Sequence, residues 1–320
     1  MVIKIYHSFG SNKQIQVTGH VFDMKPPEIF SETNFFLANL IALIYLFKVK
    51  TIAEVELELD FFGIKHKTKS LEDGFFRFEF DTNYDLSFGW HTIQIKGKNI
   101  LTGEIFSSEG KLFVPEITKF AVISDIDDTI MKSYSATIFR RLYELISKNP
   151  YRRKVFENTI EWYQELAEEE NPGNESRAFF YVSSSEWNLY EYLNVVFKQN
   201  KLPEGIFLLN SLRTLKSFWK TGKTGHEGKL VRIGRLMNTF PEVKFLLIGD
   251  NTQKDPEIYQ EIVFKYPDQI KAVMIRNSRK SKGADTTLIL KKIAQQNIPV
   301  IQFTTTQEGI DFSREIDIIK

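Results

Sequence analysis

Cysteine is absent from this chain of 320 residues, and its absence excludes several classes of site. Without cysteine the protein has no disulfide bonds, no thiol nucleophile and no thiolate metal site. The 5 histidines lack the spacing of a metal-binding motif, and no Gly-x-Ser-x-Gly motif indicates a serine hydrolase. A chain without cysteine suits a reducing compartment, and we expect a cytoplasmic location.

The chain also lacks an excess of charge of either sign and any long apolar run. Its formal net charge is +1, so no global basic field indicates binding to nucleic acid, and no such partner is expected. Residues 1–10 show neither the apolar core nor the cleavage site of a signal peptide. The most apolar segment, 34–47, is shorter than the ~20 residues that span a bilayer. A buried helix is the favoured interpretation, and an interfacial segment that touches lipid is the alternative.

The first part of the chain, residues 1–116, has the pattern of an all-β domain. Short runs alternate apolar and polar residues with a period of two, as half-buried strands do. These runs occupy 15–22, 53–59, 72–80 and 89–96. Several short strands with turn signals between them predict a β-sandwich-like domain.

After Pro115 the pattern changes to compact apolar runs that alternate with helical stretches. The runs occupy 119–124, 178–183, 205–210, 244–249, 271–276 and 299–304. Such runs are typical of strands buried on both faces, and their spacing fits βαβ units in a parallel sheet. We therefore predict an α/β, Rossmann-like domain over residues 117–320, with a helical insertion at 134–170.

Acidic side chains follow two of these apolar runs directly. Asp125 and Asp127 come after the first run, and Asp250 comes after the fourth, with Asp255 close behind it. Because ligands of open α/β sheets bind beyond the carboxyl ends of the strands, we expect these acids to share one crevice. Carboxylates that lie so close repel one another unless a cation neutralises them, and Mg²⁺ suits oxygen ligands.

Hydroxyl and basic side chains supply what a phosphate group would need. Ser183 ends the second apolar run and Ser184 follows it, at a place where hydroxyl and backbone N–H groups suit an anion. Lys229 is the candidate for a positive charge near the site.

Four motifs in order resemble those of a known enzyme family. They read SDIDDTI at 124–130, YVSSSEWNLY at 181–190, HEGK at 226–229 and LLIGDNTQKDPEIY at 246–259. The first resembles the signature of haloacid-dehalogenase-superfamily phosphatases. Together the four are similar to the actin-patch-protein family of Mg²⁺-dependent phosphatidate phosphatases, over roughly residues 115–280.

The resemblance implies a phosphatase mechanism. Asp125 would be the nucleophile that forms an aspartyl-phosphate, and Asp127 would be the general acid and base, with Thr129 orienting it. The substrate implied is a phosphate monoester, with phosphatidate as the first choice.

The same resemblance assigns the remaining candidates. Mg²⁺ would be held by Asp125, by the backbone carbonyl of Asp127 and by Asp250. The phosphate would be held by Ser183, Ser184 and Lys229. Asp255 would support the metal or orient Lys229, and Asp128 would cap the following turn. His226 stands where the family pattern suggests a His-Lys pair, and its role is left open.

Two other functions stay open at this point. One is a phosphatase for a soluble sugar, nucleotide or protein phosphate. The other is a binding module that recognises phosphate without turnover, while the β domain recruits a partner of unknown identity. Peripheral contact with a membrane surface is a further possibility, for which 34–47 and the basic, aromatic stretch 213–222 are the candidate segments.

Overall fold

A computed structural model describes seven ranges of the chain. These are residues 1–24, 48–100, 102–116, 120–132, 155–168, 177–210 and 225–320. The predictions for 34–47, for 213–222 and for most of 134–170 lie outside them. The described residues divide into two compact units, one on each side of residue 116. The exact domain boundary stays a prediction, because 117–119 are not described.

The first unit is an eight-stranded sheet with the order β1-β3-β2-β8-β7-β4-β5, in which β6 pairs with the outer side of β3. The strands are β1 Val2–Ile5, β2 Ser8–Gly10, β3 Gln14–Phe22, β4 Glu56–Phe61, β5 Ile64–Lys69, β6 Phe75–Asp81, β7 Gly89–Lys98 and β8 Ile105–Val114. The pairs are antiparallel except β2 with β8, which is parallel. The strands form one connected sheet where the sequence suggested a sandwich.

Alternation explains why four of the eight strands, β3, β4, β6 and β7, were predicted from the sequence, whereas β1, β2, β5 and β8 were not. In β4, the buried Leu57 and Leu59 alternate with polar residues that face outward, and the same pattern recurs in β7. Their apolar side chains collect in one core with those of β1, β3, β6 and β8. The β5 sequence IKHKTK has a single apolar residue, so it carries no signal of a buried face.

The second unit is a six-stranded parallel sheet with the order β11-β10-β9-β12-β13-β14. Its strands are β9 Ala121–Ser124, β10 Phe179–Glu186, β11 Ile206–Asn210, β12 Phe245–Asp250, β13 Ile270–Arg276 and β14 Val300–Phe303. Its described α-helices are α1 Thr159–Ala167, α2 Tyr190–Gln199, α3 Gly225–Thr239, α4 Asp255–Lys265, α5 Gly283–Ala294 and α6 Thr306–Glu315. The prediction of a parallel α/β sheet from the six apolar runs is confirmed.

The strand order places β9 between β10 and β12, at the centre of the parallel sheet. All residues of β9 and β12 are buried, as expected of strands covered on both faces. Because the three strands run in the same direction, the residues that follow them meet at one edge. Among the described helices, none combines the length and the apolar content that crossing a bilayer demands.

Candidate active site

Asp125 lies at the end of β9, and both oxygens of its buried carboxylate have partners. Its backbone N–H donates to the carbonyl of Ile248 at 2.8 Å, which continues the pairing of β9 with β12. The ammonium of Lys229 donates to Oδ1 at 2.8 Å, and the hydroxyl of Thr129 donates to Oδ2 at 3.0 Å. The prediction that Lys229 lies near the first acid therefore agrees with the structure.

Asp250 and Asp255 complete a buried group of three carboxylates with Asp125. Each offers an oxygen that lies within 4.8 Å of the other two. Lys229 donates to Oδ1 of Asp255 at 2.6 Å, and the backbone N–H of Asp250 donates to Oδ2 of Asp255 at 3.3 Å. The structure thus brings Asp125 and Asp250 together as the sequence predicts, and it gives Asp255 a place among the carboxylates as well as a contact with Lys229.

The charges of this group do not balance. Burial raises the pKa of Asp125 well above its usual range, although Lys229 opposes the effect, and Asp255 and Asp250 add to it. Burial, with the charge of Asp255, raises the pKa of Asp250 to about 7. Burial alone would lower the pKa of Lys229, but the two acids it contacts raise it. One lysine among three buried carboxylates leaves a deficit of positive charge.

A hard divalent cation fits that deficit. The donor set consists only of carboxylate oxygens, which Mg²⁺ prefers, and the oxygens lie close enough to share an ion. A bound cation would also favour the ionised forms of Asp125 and Asp250, which burial disfavours. The residues present therefore suit Mg²⁺.

Asp127 lies apart from the three carboxylates and is bonded to two serines of β10. The hydroxyls of Ser183 and Ser185 both donate to its Oδ2, at 2.9 and 2.7 Å. Because alternate residues of a strand point the same way, Ser183 and Ser185 share a face, and the half-buried Ser184 faces away from them. The role predicted for Ser184, holding the phosphate, stays a prediction, whereas Ser185 was missed in the sequence. The period of two along the strand could have identified it.

The hydrogen-bond partner of Thr129 differs from the one predicted. Its hydroxyl donates to Asp125 at 3.0 Å and lies 3.4 Å from Oδ2 of Asp250, so it supports those two carboxylates and not Asp127. The loop after β9 turns back tightly, which brings the fourth residue after Asp125 over its side chain.

Asp128 shapes that turn. Its φ of 64° is left-handed, a conformation that Asp tolerates better than most residues. Its backbone N–H donates to the carbonyl of Met131 at 2.8 Å, and its own carbonyl accepts a bond from Ser278 at 2.8 Å. A structural role in the turn was the prediction for Asp128, and these contacts are consistent with it.

Comparison with known proteins gives the family of the second unit. Residues 120–277 match the family described as "Phosphatidate phosphatase APP1, catalytic domain". These residues belong to that family. The resemblance inferred from the four motifs is confirmed, and the match contains every predicted site residue.

Two curated relatives share part of the chain. Phosphatidate phosphatase APP1 of Saccharomyces cerevisiae is 29% identical over 156 residues, which are 48% of this chain and 25% of that protein. An uncharacterized protein of Schizosaccharomyces pombe is 24% identical over 207 residues, which are 60% of this chain and 33% of that protein. The chain therefore spans a third or less of the length of these relatives.

Among solved structures, a carbohydrate acetylesterase from Xanthomonas citri aligns over 95% of this chain and 68% of its own. The TM-score is 0.32 and the identity 10%, so this likeness carries no argument.

Gly249 of this family domain was not singled out in the sequence, yet it admits Asp255 to the site. A Cβ at residue 249 would lie 2.6 Å from Oδ2 of Asp255 and 2.9 Å from the ring of Tyr259. Real Cβ atoms essentially never approach so closely. A glycine on β12 is therefore required for the first residue of α4 to reach the carboxylate group.

Arg276 was also missed, because it lies inside an apolar run that predicts only a strand. It is buried at the end of β13, and its Nε donates to the carbonyl of Thr129 at 2.9 Å. Its guanidinium lies over the rings of Phe156 and Phe303, at 4.4 and 4.8 Å from their centres. Arg276 thereby ties the loop that carries Asp125 to β13, which lies beyond β12 in the sheet. The side chain of His226 lies outside the described residues.

Proposed function

We propose that this protein is a Mg²⁺-dependent phosphatase of the haloacid-dehalogenase type, which hydrolyses a phosphate monoester through an aspartyl-phosphate on Asp125. Phosphatidate is the proposed substrate. The observation that carries the proposal is the buried carboxylate of Asp125, held by Lys229 at 2.8 Å and grouped with Asp250, within a segment that matches a phosphatidate phosphatase family.

Asp125 is the group that attacks phosphorus. One of its carboxylate oxygens forms the new bond to phosphorus, and the bond from phosphorus to the leaving alcohol oxygen breaks. Lys229 holds the ionised carboxylate in place and provides positive charge near the phosphoryl oxygens. Thr129 fixes the second carboxylate oxygen, so that the side chain meets the substrate in one orientation.

Asp127 transfers the protons. In the first step its proton passes to the departing alcohol oxygen, and in the second it accepts a proton from the attacking water. That water forms a bond to phosphorus, the bond to Asp125 breaks, and inorganic phosphate leaves. The hydroxyls of Ser183 and Ser185 set the direction of the Asp127 carboxylate for both steps.

Asp125, Asp250 and Asp255 would hold the cation, with the backbone carbonyl of Asp127 as the further ligand that the family resemblance implies. When bound, Mg²⁺ supplies positive charge to the phosphoryl oxygens and to the buried carboxylates. The raised pKa values of Asp125 and Asp250 support this assignment, because burial and the neighbouring acids disfavour the ionised carboxylates and a bound cation would offset both effects.

The choice of phosphatidate rests on the family and on the relative from Saccharomyces cerevisiae, which is named a phosphatidate phosphatase. The test is turnover by the purified protein, with and without Mg²⁺, on phosphatidate in detergent micelles and on a panel of soluble phosphate monoesters. We expect phosphatidate to be hydrolysed fastest and only with the cation.

Two substitutions in the same loop make that assay specific. Asp125→Asn should lower turnover by about 1000-fold or more, because an amide is a poor nucleophile. Asp128→Asn is the matched control, since Asn also tolerates a left-handed φ, and it should keep most of the activity.

The two alternative functions predict different results. Faster turnover of a soluble sugar, nucleotide or protein phosphate would replace phosphatidate as the substrate while leaving the mechanism intact. A wild-type protein that binds phosphate esters but hydrolyses none of them would indicate a binding module.

A further inference from the structure

The edge of the parallel sheet that carries the carboxylates has exposed charges of one sign in its loops. Three described loops follow β9, β12 and β13, at 125–132, 251–254 and 277–282. Their acidic residues are all buried, and their exposed charged residues are all basic. We call these residues, together with the half-buried Lys282, the basic rim: Lys132, Lys254, Arg279, Lys280 and Lys282.

Hydrogen bonds join the three loops into one surface. Ser278 of the last loop donates to the carbonyl of Asp128 in the first, at 2.8 Å. The backbone N–H of Arg279 donates to the side chain of Asn251 at 2.8 Å, and Lys282 donates to the carbonyl of Gln253 at 2.7 Å. The basic residues are therefore held on a connected set of loops at the edge of the sheet that carries the carboxylates.

Ion pairs with described residues do not neutralise three members of the basic rim. Lys254, Arg279 and Lys280 form no ion pair with any acidic residue that the structure describes. Among the described residues, exposed acids flank these loops at Glu157, which follows Phe156, and in the first turns of three helices, as Glu257 of α4, Asp285 of α5 and Glu308 of α6. The exposed charges of the three loops themselves are therefore all basic, whereas the flanking residues carry both signs.

We propose that the basic rim docks the protein on an anionic lipid bilayer. This inference rests on the proposed function, because a lipid phosphate that stays in its bilayer can reach a buried site only if the mouth of that site lies on the membrane. A single small phosphate ester would meet the buried Lys229 in the site and would not need exposed charges on three loops. Lysine and arginine near an anionic bilayer each contribute roughly 1 kcal/mol, so several together give selective binding.

The test compares two triple variants of the full chain. The rim variant carries Lys254→Gln, Arg279→Gln and Lys280→Gln. The control variant carries Lys265→Gln, Lys291→Gln and Lys292→Gln, three exposed lysines in the last turns of α4 and α5. Both helices begin at the carboxylate edge and run away from it, so the control removes equal charge from the opposite edge.

Binding is measured by sedimentation with vesicles of phosphatidylcholine alone and of phosphatidylcholine with phosphatidylglycerol, which is anionic and is not the proposed substrate. We expect the wild type and the control variant to prefer the anionic vesicles, and to lose that preference as salt is raised. The rim variant should bind them about 100-fold more weakly, from three charges of about 1 kcal/mol each. Circular dichroism melting checks that both variants are folded.

Turnover separates this inference from the proposed function. A rim variant that loses activity on phosphatidate in anionic vesicles, yet keeps it on a soluble phosphate monoester, supports docking. An equal loss on the soluble ester overturns it, because the rim would then attract the ester itself. Equal binding of the wild type to both kinds of vesicle also overturns it. If the wild type binds anionic vesicles through the basic rim but hydrolyses no phosphate ester, the result would contradict the proposed function and still support the docking surface.

Discussion

Gly249→Ala should displace Asp255 and disturb the whole carboxylate group. The new Cβ would lie 2.6 Å from Oδ2 and 3.0 Å from Cβ of Asp255, where ordinary contacts begin at 3.4 Å. Relief therefore requires a movement approaching 1 Å of a side chain that Lys229 contacts at 2.6 Å. The neighbouring backbone of β12 is buried and paired on both sides, so it cannot move to accommodate the methyl group.

The expected cost is about 3 kcal/mol of stability, from overpacking and from a weakened buried pair. For a domain of this size that lowers Tm by about 10 °C. A misplacement of about 1 Å near the reacting groups should also lower kcat/KM by about 100-fold. Thermal unfolding and phosphatase turnover are the assays.

Gly234→Ala is the matched control, because the same methyl group on α3 would meet only the hydroxyl of Tyr266, at 3.7 Å. It should raise stability by about 1 kcal/mol, as alanine does in a helix. The cost of Gly249→Ala should also shrink in an Asp255→Ala background if the clash is with that side chain. A Gly249→Ala protein as stable and as active as the wild type would refute the reasoning.

Three further predictions concern other parts of the structure. Ser185→Ala should lower kcat by about tenfold or more, because it removes one of the two serine hydroxyls that donate to Asp127. Ser184→Ala is the control and should change kcat less than about twofold. Equal effects of the two substitutions would contradict the role given to Ser185. Arg276→Met should lower the free energy of unfolding by about 3 kcal/mol, because it leaves the buried carbonyl of Thr129 without its donor. Denaturant titration measures the change, and an unchanged midpoint would contradict the prediction. Burial lowers the pKa of His20 to about 3, so the stabilisation that the neutral imidazole gives the folded state is complete above pH 6.5 and is lost as the pH falls toward 3. Between pH 7 and pH 5 the free energy of unfolding of the wild type should fall by about 2 kcal/mol more than that of His20→Gln. Equal decreases in the two proteins would contradict this prediction.

The convergence of the acids was predictable because it follows from topology. Asp125 and Asp250 each end an apolar run, and parallel strands deliver such residues to one edge whatever their separation in the chain. The serines of β10 were predictable for the same reason, and only the choice between Ser184 and Ser185 required the strand period. The order of the motifs then gave the family.

Other features depend on contacts that no local pattern encodes. In the sequence Gly249 is one small residue in an apolar strand. The requirement for glycine there becomes evident only in the structure, where Asp255 and Tyr259 of α4 lie against it. Arg276 appears in the sequence as the polar end of an apolar run, although two of its partners, Thr129 and Phe156, lie 120 or more positions earlier in the chain. Thr129 was assigned to the wrong acid, because a tight turn brings it over Asp125 and no periodic pattern predicts that turn.

The most direct test of the central claim is to trap the phosphorylated protein. Wild-type protein mixed with Mg²⁺ and phosphatidate should, after acid quenching and peptide mass spectrometry, carry one phosphoryl group on Asp125, and Asp125→Asn should carry none. Phosphate released at the wild-type rate by Asp125→Asn, or a phosphoryl group found on a different residue, would contradict the account.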